Sequence, residues 1–277
     1  MIKKQLFIHN LHVNGIGAFI YCFGLSASRY IEYSKAVEFL LSEAKLDNVI
    51  LELGCGYSIL PSFWQKKGME IIILDLNRKS LKWQIKKNKK IINKAPDAIL
   101  ADMRYIPLKE RSISKISCIS AIEHIPGNGD IKAALEIGRI LKKDGVCVIS
   151  FPLSSSSRGR IECHWTIGIP PIMQKIFKIC LPTILSALNV NRGRAYCERF
   201  FSEKDMYRRI IDPLKCTKED YLTLRSGRIV KLIHKKIIPT GVLTIFDYII
   251  EKFLKTSKQT KNADAIVLKL KRRKTVK

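Results

Sequence analysis

Apolar residues along the first 150 positions follow two alternating rhythms. From Ser28 to Ala44, "SRYIEYSKAVEFLLSEA", Ile31, Ala36, Phe39 and Leu40 recur at helical spacing with polar residues between them, which predicts an amphipathic helix. At Asn48 the pattern changes to a short apolar run, "NVILEL", of the kind that forms a strand buried on both faces. The alternation then repeats. "LPSFWQKKG" predicts a helix closed by Gly68, "EIIILDLN" a second strand and "RKSLKWQIKKNKKIINK" a strongly basic helix. "DAILAD", "ISKISCISA" and "GVCVISFP" predict strands three, four and five. Between the last two, "DIKAALEIGRILKKDG" sets Ala134, Leu135, Ile137 and Leu141 on or near one face and ends at Asp-Gly, a helix stop. This order predicts an α/β protein with a doubly wound parallel sheet, whose ligands bind beyond the carboxyl ends of the strands.

Past Pro152 the rhythm weakens. "SSSSRGR" reads as a polar link, and "HWTIGIPPIMQKIFKICLPTILSALNV" is apolar and broken by proline. In "FFSEKDMYRRIIDP", Ser202 is placed to cap a helix, with Asp205 three residues on. "YLTLRSGRIVKL" suggests a hairpin around Ser-Gly, "IIPTGVLTIFDYIIEKFLK" a further apolar helix, and "ADAIVLKLKRR" a closing strand with a basic tail. The apolar stretches Ile169–Val190 and Ile237–Leu254 read as lid helices. With Lys175 and Lys178, or Lys252 and Lys255, beside them, they also suit an interfacial position on a membrane.

With 277 residues, 47% of them hydrophobic, the chain has room for one large elaborated domain. Its formal net charge of +26 suits an anionic partner, either a membrane surface or nucleic acid, or else reflects a lysine-rich composition. The eight cysteines form no CxxC pair and no zinc spacing. Cys118 and Cys147 lie in apolar runs, a pattern that fits a reducing cytosol. No signal peptide and no run of 18 apolar residues is present, which predicts no spanning helix and a cytoplasmic protein, with a peripheral place at the inner membrane surface as an option.

The candidate chemistry sits at the strand ends. Glu52, Gly54, Cys55 and Gly56 close strand one, where glycines allow a tight turn and a close backbone approach to a ligand. A dinucleotide fingerprint needs a third glycine at position 59, which is Ile59, and the acid before the turn suits a cationic ligand. Asp75, followed by Leu76, closes strand two 19 residues past Gly56, the place of a ribose-binding carboxylate. Asp102 and Met103 close strand three as a polar and an apolar contact for an adenine.

Together "ELGCG…LDLN…ADMRYIPL…SAIEHI…LKKDGVCVISFP" resembles the class I S-adenosylmethionine-dependent methyltransferases of the broad, type 11-like methyltransferase-domain superfamily, over about Asn48 to Pro152. The resemblance implies a Rossmann-like, mostly parallel seven-stranded sheet with helical additions at the N-terminus and after strand five. It divides the chain into an N-terminal cofactor cover (1–47), a binding core (48–152) and a variable substrate region with closing strands (153–277). It implies S-adenosyl-L-methionine as cofactor and no metal. Glu52, Gly54, Cys55 and Gly56 then form the cofactor loop, and Asp75 with Leu76 lies at the ribose. Asp102 and Met103 lie at the adenine, and Ser120 and Ala121 beneath the methionine part. Arg29 or Tyr30 reaches the methionine carboxylate, or Tyr30 and Tyr33 simply pack. Ser58 departs from the pattern, standing where many members have the last loop glycine.

Glu123 and His124, after strand four, are the candidate catalytic pair, with His124 the better base by its near-neutral pKa; as an alternative they cap the next turn and shape the pocket. His164 and Trp165 lie past strand five, facing an acceptor or packing. The resemblance implies methyl transfer to an O or N atom of a small-molecule, lipid or glycan acceptor of unknown identity. The alternatives are an RNA methyltransferase using Arg78–Lys94 and Lys269–Lys277, and a non-catalytic cofactor-binding domain. Strand four ends in "SAIEHIP" rather than Asn-Pro-Pro-aromatic, which counts against a nucleobase acceptor.

Overall fold

The apolar runs pair side by side as parallel strands. The computed structural model describes residues 2–14, 27–154, 159–165, 195–225, 255–257 and 263–272. The chain begins with helix α1 (Ile2–Asn14) and α2 (Ala27–Leu41). It continues through β1 (Val49–Leu53), α3 (Leu60–Lys66), β2 (Glu70–Asp75), α4 (Arg78–Ile92) and β3 (Asp97–Leu100). β4 (Ile113–Ile119), α5 (Gly129–Ile140) and β5 (Leu141–Pro152) complete the parallel part. β6 (Arg160–Trp165) and β7 (Ala195–Phe200) form a separate antiparallel pair. A helical segment runs through Glu203–Asp205, a π-helical stretch Met206–Ile211 and Asp212–Leu214. β8 (Cys216–Arg225), β9 (Lys255–Ser257) and β10 (Ala265–Arg272) follow.

The main sheet has the order β3-β2-β1-β4-β5-β10-β8-β9. The first five strands are parallel, and β10 lies antiparallel between β5 and β8. The expected seven strands are all present, with the three-residue β9 added at the β8 edge. From β1 the chain winds to β2 and β3 on one side and then returns to β4 on the other. The carboxyl ends of β1 and β4 therefore form the switch point where α/β sheets take their ligands.

Both faces of the sheet are covered, as apolar strands require. One face carries α1 to α4, packed through Leu6, Phe39, Leu40, Phe63 and Trp64. The other carries α5 and the segment 203–214, packed through Ile137, Met206, Ile210 and Leu214. Buried Asp130 receives both sides of the Arg209 guanidinium, at 2.7 Å each, and ties these last two elements together. A buried carboxylate needs such a partner, and the planar fork of arginine supplies two parallel bonds. Ser202 caps as expected, accepting from the Asp205 N–H.

The boundary between α5 and β5 differs from the sequence reading. The helix stops at Ile140, not at the Asp-Gly, and β5 starts at Leu141, which pairs with Ile113. Leu141 is fully buried, so sheet pairing overrides the local helix pattern, and an irregularity between Ile113 and Lys115 absorbs the extra residues. The Ser226-Gly227 turn, residues 155–158 of the polar link and both apolar stretches lie outside the described residues. No described helix is long and apolar enough to cross a membrane.

Gly138 on α5 faces the Leu214 backbone so closely that an added Cβ would sit 2.6 Å from its carbonyl oxygen. Gly138→Ala is therefore expected to lower stability by about 1–3 kcal/mol through overpacking, despite alanine's better helix propensity. The midpoint of urea unfolding measures this.

Candidate active site

The turn after β1 is shaped by its glycines. Gly54 has φ +65° and Gly56 φ +46°, both left-handed. Gly54 also has no room for a side chain: a Cβ there would lie 2.5 Å from Ala121 Cβ, at the end of β4. Ser58 does not disturb the turn; its hydroxyl accepts from the Leu60 N–H as α3 begins, and its carbonyl accepts from Gln84.

Asp75 sits at the end of β2 and holds this turn. One carboxylate oxygen accepts from the Gly56 N–H at 2.7 Å and the other from the Asn77 N–H at 2.7 Å. Beside it Leu76 is 69% exposed, an apolar side chain at the rim of the strand ends. Met103 is buried, with its methyl near Gly54. Asp102 has a partner the sequence reading missed. Arg104 grips both its oxygens, at 3.0 and 2.6 Å, and this pairing pulls the Asp102 pKa below the usual carboxylate range. A glycine turn held by a fixed carboxylate, with apolar side chains at the neighbouring strand ends, fits a nucleoside-like ligand.

Glu52 does not present a charge to this cradle. It is buried, accepts from the Trp64 indole N–H at 3.3 Å, and its pKa is pushed up to about 8 by burial. At neutral pH it is mostly protonated and turned toward α3, so the reading that this acid favours a cationic ligand is corrected.

A different carboxylate reaches the strand ends. Glu32 on α2 is buried, and its Oε2 accepts from Ser120 Oγ at 2.9 Å, Ser150 Oγ at 3.2 Å and Arg29 at 2.9 Å. Ser120 is one residue from Ala121, the contact point of Gly54, and holds a left-handed φ of +46°. A non-glycine residue in that conformation is strained, and its bonds to Glu32 and to Ser150 help hold it there. Sequence reasoning found Arg29 and missed Glu32; the i,i+3 spacing of the pair was its one local sign. Tyr30 lies on α2, and its side chain is outside the described residues. Tyr33 is buried in the packing behind the turn, which agrees with the packing reading for that residue.

Glu123 and His124 form a 3₁₀ turn (Ile122–His124) just past β4. Burial pushes Glu123 up to about 8, and its Oε2 is buried without a hydrogen-bond partner. His124 is lowered to about 4, first by burial, so the expected near-neutral pKa is corrected. Its Nδ1 lies 3.3 Å from the Cys197 carbonyl, a contact only a protonated Nδ1 can make as donor; Nε2 then carries the lone pair, 3.7 Å from Glu123 Oε1. β7 thus closes over the pair. Cys197 is disulfide-bonded, with Cys163 opposite it in the strand register, while Cys118 and Cys147 are free and buried as their apolar runs suggest. His164 and Trp165 end β6, with side chains outside the described residues. No cluster of metal-ligating side chains occurs among the described residues.

These buried groups give the fold a pH signature. Glu52 and Glu123 hold protons in the fold up to about pH 8 but lose them near 4.5 when unfolded, so each stabilises the fold at low pH and less as pH rises through 8. His9 and His124, lowered to about 4, act oppositely, and their effect is complete above 6.5. Stability is therefore expected to fall between pH 6.5 and 8, and Glu52→Gln to flatten that fall, as followed by the denaturation midpoint at each pH.

The comparisons agree with this geometry. Residues 51–149 match the family model described as a methyltransferase domain. Over 192 residues the chain is 28% identical to the malonyl-[acyl-carrier protein] O-methyltransferase of Hamiltonella defensa subsp. Acyrthosiphon pisum, covering 66% of this chain and 71% of that one. Among solved structures, the 1,6-didemethyltoxoflavin-N1-methyltransferase of Burkholderia thailandensis superposes with a TM-score of 0.54 at 12% identity, over 99% of this chain and 88% of that one. An S-adenosylmethionine-dependent methyltransferase from Clostridium acetobutylicum gives a TM-score of 0.54 at 12% identity over 98% of each chain. The glycine turn, the carboxylate after β2 and the family match lead to one conclusion: residues 51–149 form a methyltransferase domain of the class I, S-adenosylmethionine-dependent kind.

Proposed function

We propose that this enzyme methylates an oxygen or nitrogen atom of a small-molecule, lipid or glycan acceptor, with His124 as the base. The observation that carries this reading is the buried Glu123, whose Oε2 has no partner, beside a neutral His124 at the end of β4. A polar atom buried without a partner costs about 1–3 kcal/mol, and one just past β4 stands where the acceptor would meet it. The Hamiltonella defensa relative is named as an O-methyltransferase, which supports oxygen as the receiving atom.

S-adenosylmethionine, when bound, supplies an activated sulfonium methyl and leaves as S-adenosylhomocysteine. The chain's part is to hold, orient and deprotonate. Gly54, Cys55 and Gly56 offer backbone at the turn, and Asp75 takes the ribose hydroxyls while keeping its bonds to the turn. Leu76 and Met103 cover the adenine, with Asp102 fixed nearby by Arg104. Arg29 and Glu32, one turn apart on α2, match the carboxylate and ammonium of the amino-acid end. His124 Nε2 takes the proton of the acceptor hydroxyl or amine, and protonated Glu123 donates a hydrogen bond into the same chamber. Correct placement alone supplies much of the rate in such a transfer.

Asp75→Ala is expected to abolish S-adenosylmethionine binding in calorimetry. Glu32→Gln is expected to weaken S-adenosylmethionine about tenfold or more and to leave methylthioadenosine, which lacks the amino-acid end, unchanged; equal weakening of both would make Glu32 a purely structural residue. His124→Ala is expected to lower kcat by about 10²-fold or more with cofactor affinity unchanged. Labelled methyl transfer into a fractionated extract identifies the acceptor: counts in RNA would refute this reading in favour of the nucleic-acid one.

A further inference from the structure

We propose that the lysine face formed by α1, α3 and α4 docks this protein onto an anionic lipid bilayer. This goes beyond the methyl-transfer reading and does not depend on it. α4 carries seven cationic residues and no acid. Arg78, Lys79, Lys82, Lys86, Lys89 and Lys90 are exposed, while Ser80, Leu81, Gln84 and Asn88 turn inward. The neighbouring elements continue the pattern. α3 ends at exposed Lys66 and Lys67, and Lys67 reaches Gln5 on α1 at 2.7 Å. α1 adds exposed Lys4 and also packs beside α4.

The chain holds 24 acidic residues, yet none lies within α1, α3 or α4. At the edge of this face, the Glu70 carboxylate is already taken by Lys94 at 2.6 Å. A mere excess of lysine would leave acids scattered among these helices; their absence across three adjacent elements concentrates positive potential on one side of the molecule.

The side chains between the lysines favour lipid over RNA. Ile8 is 50% exposed and Ile85 36% exposed on these same helices, as suits a face that meets both headgroups and the acyl boundary. Single-stranded RNA calls for aromatic platforms on which bases stack. Here Trp83 is engaged already, edge-on to Tyr57 at 5.5 Å and under Lys87 at 5.7 Å. The exposed cations are mostly lysines, compact point charges that suit a dense anionic surface without the forked geometry that arginine brings to nucleic acid.

Vesicle flotation tests this with vesicles of phosphatidylglycerol and phosphatidylcholine, and with phosphatidylcholine alone. The protein is expected to float with the anionic vesicles, to stay behind with the neutral ones, and to be released by salt. Each lysine near an anionic bilayer is worth about fivefold in partitioning. Reversing Lys82, Lys86, Lys89 and Lys90 to Glu is therefore expected to cut binding by more than about a hundredfold. Reversing Lys109, Lys132, Lys143 and Lys204, which changes net charge equally elsewhere, should cost far less. Retained S-adenosylmethionine binding and an unchanged far-ultraviolet spectrum show that each variant is folded. Equal loss in the two variants would reduce the effect to net charge and overturn the proposal. Vesicle binding that survives the α4 reversal, or tight RNA binding with no flotation, would overturn it too.

Discussion

The site depends on how closely the turn after β1 can approach the end of β4. Two strands that are hydrogen-bonded neighbours must diverge at their ends to make a crevice, yet here the backbone at Gly54 passes directly against Ala121. Only a residue without a side chain permits that contact. The result is a turn whose backbone lies against the end of β4. Asp75 then fixes the turn from the neighbouring strand by capturing the Gly56 amide, so the turn and this carboxylate hold each other in place. Any movement of β2 relative to β1 would disturb both at once.

Around that turn, burial sorts the carboxylates. Glu52 and Glu123 are withdrawn from water, and burial outweighs the attraction of Arg29 at Glu123, so both hold their protons. Glu32 and Asp102 instead meet arginines one turn or less along the chain. The paired acids are acceptors, Glu32 from two serines and Arg29, Asp102 from Arg104. One side-chain type thus holds two protonation states around the strand ends, and burial just past β4 likewise keeps His124 neutral.

The strands were legible because each is a short apolar run between helices, and the place of Asp75 at the end of β2 was legible because its distance from the glycine turn is fixed by the intervening helix and strand. Where reading failed, the cause was long-range contact. Glu32 looks like one more polar position on an amphipathic helix; its serine partners lie 88 and 118 residues away. The shifts at Glu52 and His124 come from burial, which local sequence does not reveal. Leu141 belongs by pattern to a helix and by pairing to β5. Cys163 and Cys197 meet only because β6 and β7 come together across more than thirty residues of chain.

The insertion of β10 between β5 and β8 has a consequence for how the protein is made. During synthesis the chain emerges in order, so β8 leaves the ribosome well before the strand that must separate it from β5. Until residues 265–272 arrive, β5 presents an open edge along the apolar run Val146–Ile149, the kind of edge that recruits other chains. The sheet is therefore completed last at its middle and not at its margin. A nascent chain that stalls before β10 has its helices and its glycine turn, but also an adhesive seam through its centre.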